Sequence, residues 1–307
     1  MTKETLIEAI TTAQTDYVWE LYYFRINRRR NNPYVTYKVK FRQDTYLVEY
    51  ANNLLSSVKA YQLEKISDIQ EYNGENTKVS CDYLSLDNLL IKDNWQNFYN
   101  SIVNPSEEKV KGKIQGYLLT GKPANEDGKS ITFFKVGNPI MELSTNKARF
   151  FLCNNDELDA ITDDYCRLYL NADFLVYDSS LYTFNLSFER IFDIEKTMKK
   201  VKENGIESIT QTDFISDVEQ FKSFAQEYRS PKTFITLKQE RIALVQDATK
   251  RIEIASKLKL QLDRDGKFVL DDEEKTSRFI RFLCYKFFTD FDTDDIIEAS
   301  NATKLSI

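Results

Sequence analysis

Two segments near the N-terminus alternate between apolar and polar residues and predict a β-hairpin. Apolar residues alternate with other residues over positions 18–26, and positions 34–41 place valine and tyrosine on one side and threonine and lysine on the other. A period of two is typical of a half-buried antiparallel strand. The Asn-Asn-Pro run at 31–33 is a turn signal between the two strands, and an opening helix over 6–13 precedes them.

Longer-period patterns further along the chain predict helices and additional strands. Helical spacing covers residues 46–61, 89–103, 188–203, 213–228, 237–254 and 273–288. Strand-like runs cover residues 65–71, 78–84, 113–119 and 130–136, with short strands within 150–185 separated by Asn/Asp turns as in an antiparallel meander. Asn204-Gly205 is a C-cap signal and Asp213 is an N-cap signal, so we place helix ends there.

These elements predict an α+β fold. Antiparallel sheets have helices packed on one face, and the C-terminal third is rich in helix. The charged, apolar-poor stretch at 106–113 marks a boundary. We therefore expect an N-terminal α+β region with the basic hairpin over residues 1–105 and a C-terminal α+β domain over residues 106–307.

Composition places the chain among globular proteins of the cytoplasm. Of its 307 residues, 42% are apolar and 13% aromatic, which is too apolar for a disordered chain. No apolar run approaches the roughly 20 residues that span a bilayer, and the N-terminus lacks a signal-peptide core. We expect a cytoplasmic protein that reaches the inner face of the membrane only through a partner.

The absence of histidine restricts the chemistry that the chain can carry out. Without histidine there is no Ser-His-Asp or Cys-His triad and no histidine-ligated metal. We assign no catalytic residue, no metal ligand and no cofactor, and favour binding over turnover. The alternative is a Mg²⁺-dependent nuclease that uses carboxylates of the central strands, drawn from Asp163, Asp164, Asp173 and Asp178. Asp173 and Asp178 are five positions apart, an odd number, which places them on opposite faces of a straight strand.

The predicted hairpin concentrates positive charge in an acidic chain. The net charge is −6, yet the segment from Arg25 to Arg42 holds seven basic residues, no acid and several interleaved aromatics. Lysine and arginine neutralise phosphates and aromatics stack on bases, so the segment suits nucleic acid. We assign DNA binding to Arg28, Arg29, Arg30, Lys38, Lys40 and Arg42. Replacing Arg28–Arg30 with glutamate is predicted to lower DNA affinity more than tenfold at low salt and to leave the fold intact.

Two other interpretations of the hairpin remain open. Its basic residues can form a solvated outer face that pairs with acids elsewhere in the chain. Alternatively, the protein is a non-enzymatic assembly component whose hairpin docks a protein or an anionic membrane surface.

From about Phe150 onward the sequence resembles a known family. The marks are Ala172-Asp173-Phe174-Leu175-Val176-Tyr177-Asp178, Leu181-Tyr182-Thr183-Phe184-Asn185, Phe188-Glu189-Arg190-Ile191-Phe192-Asp193 and, near the C-terminus, Ile297-Glu298-Ala299-Ser300-Asn301-Ala302-Thr303-Lys304-Leu305. Their order is similar to that of the KwaB-like family, the B component of the Kiwa anti-phage defence system. The resemblance covers roughly half of the chain.

The resemblance implies a cytosolic effector of anti-phage defence. Such an effector acts beside a membrane-embedded Kiwa A component, binds DNA without marked sequence preference and impedes phage replication or transcription. It also implies a homo-oligomer, either a dimer or a tetramer.

Overall fold

The computed structural model describes residues 2–74, 80–110, 113–124, 128–141, 151–154, 157–160, 165–228, 231–237, 239–284, 287–289 and 296–298. The chain divides into two compact units. The sheet unit comprises Met1–Glu71 and Asn76–Asp193, and the helical unit comprises Tyr72–Glu75 and Ile194–Ile307. This division lies at Asp193–Ile194, whereas the charged stretch at 106–113 predicts a boundary after residue 105. Strands from both sides of residue 105 pair in one sheet, which is why the units divide later.

The sheet unit is built on an eight-stranded sheet with the order β2-β1-β5-β6-β11-β12-β4-β3. Its strands and helices are α1 (Lys3–Asp16), β1 (Tyr17–Ile26), β2 (Tyr34–Val39), α2 (Asp44–Val58, continued by a π-helical turn, Lys59–Leu63), β3 (Asp68–Glu71), β4 (Ser80–Ser85), α3 (Lys92–Val103), β5 (Gly116–Pro123), β6 (Ile131–Val136), β7 (Ile140–Met141), β8 (Phe151–Asn154), β9 (Glu157–Ala160), β10 (Tyr165–Cys166), β11 (Phe174–Tyr177), β12 (Ser180–Thr183) and α4 (Ser187–Ile191). Neighbouring strands are antiparallel except β3 and β4, which are parallel. The predicted α+β class and the hairpin of β1 and β2 are confirmed.

Helices cover both faces of this sheet, a difference from the one-sided packing expected from sequence. Trp19 and Leu21 of β1 belong to a core that includes Leu6 of α1 and Leu54 of α2. On the opposite face of β1, the Phe24 ring lies 5.4 Å from the Phe98 ring of α3, measured between centroids. Both alternating sets of β1 side chains are largely apolar, so each set requires a helix to cover it.

Near its first residues, β2 is also covered on both faces. Thr36 was placed on the polar side, yet it is fully buried, and its hydroxyl donates to the carbonyl of Ser101 in α3. The Ser106 N–H donates to the Thr36 carbonyl at 2.8 Å. Only the far part of β2, from Lys38 onward, keeps the exposed basic side chains that the alternation predicted.

The helical unit confirms the helix-rich C-terminal third. Its elements are α5 (Ile194–Thr210), α6 (Val218–Glu227), a 3₁₀ helix (Pro231–Thr236), α7 (Gln239–Gln246), α8 (Ala248–Leu258), β13 (Gln261–Leu262), β14 (Phe268–Val269), α9 (Glu273–Leu283), β15 (Phe287–Thr289) and β16 (Ile296–Glu298). Phe214, Phe221 and Phe268 pack around Phe279 in its core. Across the described residues of both units, no helix has the length and apolarity to cross a membrane.

Two predicted helix ends are wrong. The predicted helix 188–203 is two helices, because Asp193 between them adopts a left-handed backbone with φ of 53°. The second of these continues through the expected stop at Asn204-Gly205, where a side chain on Gly205 would approach the Phe234 ring within 2.7 Å. Gly205 therefore serves close packing rather than capping. The N-cap of α6 is Asp217, which accepts from the Gln220 N–H, and not Asp213.

The buried carboxyl of Asp82 in β4 leads to a prediction about stability and pH. Asp82 is fully buried, and its Oδ1 accepts from Gln70 Nε2 at 2.9 Å and from Ser80 Oγ at 3.3 Å. No described residue donates to its Oδ2. Burial raises the pKa of Asp82, and the two hydrogen bonds only partly oppose this. The folded protein therefore binds this proton more tightly than the unfolded chain, and stability falls as pH rises from about 4 through the raised pKa.

We expect Asp82→Asn to raise the free energy of unfolding at pH 7 by about 1 kcal/mol, because the amide keeps an oxygen acceptor and carries no charge. Urea denaturation at several pH values measures this difference. It should shrink as the pH falls and the carboxyl of the parent protein becomes protonated. A variant that is less stable than the parent at pH 7 would contradict the assignment.

Candidate nucleic-acid interface

The six predicted DNA-binding residues lie in two groups at opposite ends of β2. Arg28, Arg29 and Arg30 occupy the turn that joins β1 to β2, and the others lie where β2 ends. At a rise of about 3.3 Å per residue, six residues of extended chain separate these ends by about 20 Å. All six are exposed. The structure therefore presents a turn group and a strand-end group (Lys38, Lys40 and Arg42) rather than one cluster.

Asn27 gives the turn a defined conformation. Its N–H donates to the Pro33 carbonyl at 2.6 Å, and its own carbonyl accepts from the Arg30 N–H at 3.1 Å. Its side-chain oxygen accepts from the Arg29 N–H at 3.2 Å. Asparagine commonly organises turns in this way. Neither Arg29 nor Arg30 has an ion-pair partner among the described residues, so their charges face solvent unneutralised.

Arg28 has a structural role that the sequence did not indicate. Its guanidinium donates to the carbonyl of Arg190 in α4 and forms an ion pair with Asp193 at 3.3 Å. The last carbonyls of a helix have no partner within the helix, so a side-chain donor there stabilises the helix end. Arg28 therefore joins the turn to the end of α4. Substituting it affects the fold as well as the surface charge.

The neighbouring carbonyls are held in the same way. The Tyr34 hydroxyl of β2 donates to the Ile191 carbonyl at 3.0 Å, and Asn94 Nδ2 of α3 donates to the Phe192 carbonyl at 2.6 Å. These side chains and Arg28 satisfy three consecutive carbonyls. The end of α4 is thus fixed against the hairpin.

A cleft of about 430 Å³ lies between the turn and α4. It is lined by Ile26, Asn27, Arg28, Arg29, Gln115, Arg190 and Ile191. Among these lining residues, all within the described part of the chain, three are arginines and none is acidic. Arg190 is exposed and was not among the predicted site residues, although it lies in the Phe188-Glu189-Arg190 motif. The motif pointed to the residue, but not to its position beside the turn arginines.

The strand-end group is partly neutralised. Lys38 forms an ion pair with Glu20 of β1, and Lys122 of β5 contacts the same carboxylate at 2.9 Å. Burial alone would raise the pKa of Glu20. Hydrogen bonds from both lysines and from the Tyr22 hydroxyl outweigh burial and lower this pKa to about 2. Glu20 is therefore ionised at neutral pH and offsets one of the two lysine charges.

Asp173 is held by three donors at the start of the segment that leads to α4. Its Oδ1 accepts from Lys135 Nζ at 3.0 Å and from Asn185 Nδ2 at 2.9 Å, and its Oδ2 accepts from the Val136 N–H at 2.7 Å. Asn185 Oδ1 in turn accepts from the Ser187 N–H, the first residue of α4, at 2.9 Å. Asp173 therefore positions α4 through Asn185.

The two described carboxylates proposed for a nuclease, Asp173 and Asp178, lie at opposite ends of β11 and do not converge. Asp178 lies in the turn between β11 and β12, with φ of 49°, and pairs with Lys129 at 2.6 Å. Asp173 accepts from Lys135 Nζ, so both carboxylates have a cationic partner. Asp163 and Asp164 lie outside the described residues. Within the described part of the chain, no group of three or more histidine, cysteine, aspartate or glutamate residues is arranged to hold a metal ion.

Comparison with known proteins identifies one family. A family model described as Kiwa protein KwaB-like matches residues 113–289, more than half of the chain. The matched region includes β5, β6, α4 and most of the helical unit, and it begins after the hairpin. No curated protein and no solved structure gave a match.

Proposed function

The chain belongs to the Kiwa KwaB-like family and is therefore a component of an anti-phage defence system, and we propose that it acts there as a DNA-binding effector. It binds DNA without marked sequence preference and thereby impedes phage replication or transcription. The proposed contacts are the turn group (Arg28, Arg29 and Arg30) and the strand-end group (Lys38, Lys40 and Arg42).

The observation that carries this proposal is the exposed positive charge of the turn arginines. Arg29 and Arg30 are exposed and have no ion-pair partner among the described residues, although the chain has an excess of acids. Contacts of arginine with backbone phosphates supply affinity and carry no sequence information. Such contacts account for binding to phage DNA of any sequence.

The acidic remainder of the chain supports confinement of DNA to this surface. A net charge of −6 repels a polyanion elsewhere and leaves the hairpin as a local attractive region. The two groups are about 20 Å apart, and a duplex carries one phosphate per about 1.7 Å of its axis. A single duplex is therefore long enough to contact both groups.

The family also supports the proposed partners. Kiwa is a multi-component system, and we place the chain in the cytoplasm beside a membrane-embedded A component that recruits it to the inner face of the membrane. We further propose a dimer or tetramer. Linked copies of a weak phosphate-binding surface raise overall affinity for one DNA molecule without any new type of contact.

Binding of the purified protein to a labelled duplex across a salt series tests the proposal. We expect the logarithm of the affinity to fall linearly with the logarithm of the salt concentration, by about 0.9 for each phosphate contacted. Duplexes of unrelated sequence should give the same slope, with and without Mg²⁺. The absence of binding at low salt would reject DNA as the ligand and favour docking to a protein or an anionic membrane. Cleavage of the duplex that requires Mg²⁺ would favour the nuclease.

A further inference from the structure

We propose that the cleft between the β1–β2 turn and α4 is a phosphate-binding site, in which Arg190 and Arg29 hold one phosphate group. This inference rests on the proposed function to the extent that the phosphate is a phosphodiester of the DNA backbone. Phosphate chemistry alone also allows a free phosphate compound, and the experiment below separates the two sources.

The side chains that line the cleft offer mainly donors. Gln115 Oε1 accepts from the Ile26 N–H at 3.0 Å, and Asn27 Oδ1 accepts from the Arg29 N–H. The carbonyls of Arg190 and Ile191 already accept from side chains of the hairpin. These internal bonds occupy the side-chain acceptors and the carbonyls at the end of α4, and leave guanidinium and side-chain amide N–H groups for a ligand. Such a lining fits an oxyanion and does not fit a cation or a ligand rich in donors.

The positive charge of the cleft is only partly balanced by acidic side chains of the described residues. Arg28 is paired with Asp193, whereas Arg29 and Arg190 have no ion-pair partner among the described residues. Two uncompensated guanidinium groups on neighbouring elements attract a doubly accepting group such as phosphate, which arginine binds through two parallel N–H bonds.

The turn that carries Arg29 and the helix that carries Arg190 are fixed to each other. Arg28 and Tyr34 of the hairpin bond to the end of α4, and Asn185 holds its start. A site whose backbone is fixed before binding loses little conformational entropy when the ligand arrives. The cleft volume of about 430 Å³ lies within the range of ligand sites, about 300–1,000 Å³.

The test compares Arg190→Gln and Arg190→Lys with Arg264→Gln. Arg264 is exposed in the turn between β13 and β14 of the helical unit, so its substitution removes the same charge far along the chain from the cleft residues. Substituting Arg190 leaves its carbonyl, and therefore the bond from Arg28, in place. Each variant is titrated with duplex DNA across a salt series and with inorganic pyrophosphate, followed by ³¹P line broadening. Circular dichroism and thermal unfolding confirm the fold.

We expect Arg190→Gln to lower duplex affinity about tenfold at 0.08 M salt and to reduce the salt slope by about 0.9, the value of one phosphate contact. It should also abolish pyrophosphate broadening. Arg190→Lys should lose less affinity, because it keeps the charge and loses only the paired N–H geometry. Arg264→Gln should resemble the parent protein in both titrations.

The outcomes separate failure of the cleft from failure of the proposed function. If the parent protein binds the duplex and Arg190→Gln matches Arg264→Gln with both probes, the cleft is not a phosphate site and the DNA-binding proposal stands. If the parent protein binds pyrophosphate through Arg190 but binds no duplex, the cleft is confirmed, its ligand is a free phosphate compound, and the proposed function is wrong.

Discussion

Replacement of Asp173 with asparagine is expected to lower the free energy of unfolding by about 3 kcal/mol, because it leaves a buried lysine without its partner. The Lys135 and Asp173 side chains are only 17% and 8% exposed. An asparagine at this position keeps one acceptor, while three donors (Lys135 Nζ, Asn185 Nδ2 and the Val136 N–H) point to it. The NH₂ group of this asparagine, itself a donor, would then lie against these donors. Urea denaturation monitored by circular dichroism measures the change.

Asp178→Asn provides the matched control. Asp178 is 35% exposed and pairs with Lys129, which is 56% exposed, so loss of this solvent-screened pair should change stability far less than loss of the Asp173 pair. Asparagine also tolerates the left-handed backbone at this position. Equal losses of stability in the two variants would contradict the structural role of Asp173. The same variants address the nuclease: Mg²⁺-dependent plasmid cleavage that both substitutions abolish would show that the carboxylates act together on a metal.

The three family motifs that contain Asp173, Asn185 and Arg190 are connected by hydrogen bonds and together position α4. Asp173 ends the segment before β11, Asn185 follows β12, and Arg190 lies on α4, so the three are separated along the sequence. In the folded chain Asp173 bonds Asn185, and Asn185 bonds the first turn of α4. This arrangement sets the position from which α4 presents Arg190 to the hairpin.

The hairpin shows what the sequence could predict. Alternation over residues 18–26 and 34–41 depends only on neighbours in the chain, and it gave the strands, the turn and the exposed basic residues correctly. The same pattern did not reveal that α3 covers Phe24, because the partner of a strand face is distant in sequence. For the same reason the parallel pairing of β3 with β4 carried no local signal.

The candidate site was predictable only in part. The charge of Arg28, Arg29 and Arg30 is evident from composition, but the bond from Arg28 to the end of α4 joins residues 162 positions apart. Lys122 was not selected because its contact with Glu20 also depends on the pairing of β1 with β5. The initial proposal to replace all three turn arginines therefore combined two effects. Arg28 contributes to the fold, and only Arg29 and Arg30 are free to report on charge alone.

The double variant Arg29→Glu, Arg30→Glu is accordingly expected to lower duplex affinity by at least about a hundredfold at 0.08 M salt. Each phosphate contact contributes about 0.9 to the slope of log affinity against log salt concentration, so one contact changes affinity about tenfold between 1 M and 0.08 M salt. The factors for two contacts multiply to about a hundredfold. Charge reversal adds repulsion to this loss. The salt slope should fall by about 1.8 or more, and thermal unfolding should remain that of the parent protein, since both side chains are exposed. Fluorescence anisotropy of a labelled duplex measures both quantities.

The control Lys196→Glu, Lys199→Glu makes the same change in net charge on α5 of the helical unit. Both lysines are exposed, and neither has an ion-pair partner among the residues that the structure describes. If the attraction of DNA depends on the turn arginines themselves, this control should lose far less affinity than the turn variant, because it removes the same charge and leaves the turn contacts in place. Equal losses in the two variants would mean that the overall charge of the chain governs binding. The turn would then have no special role.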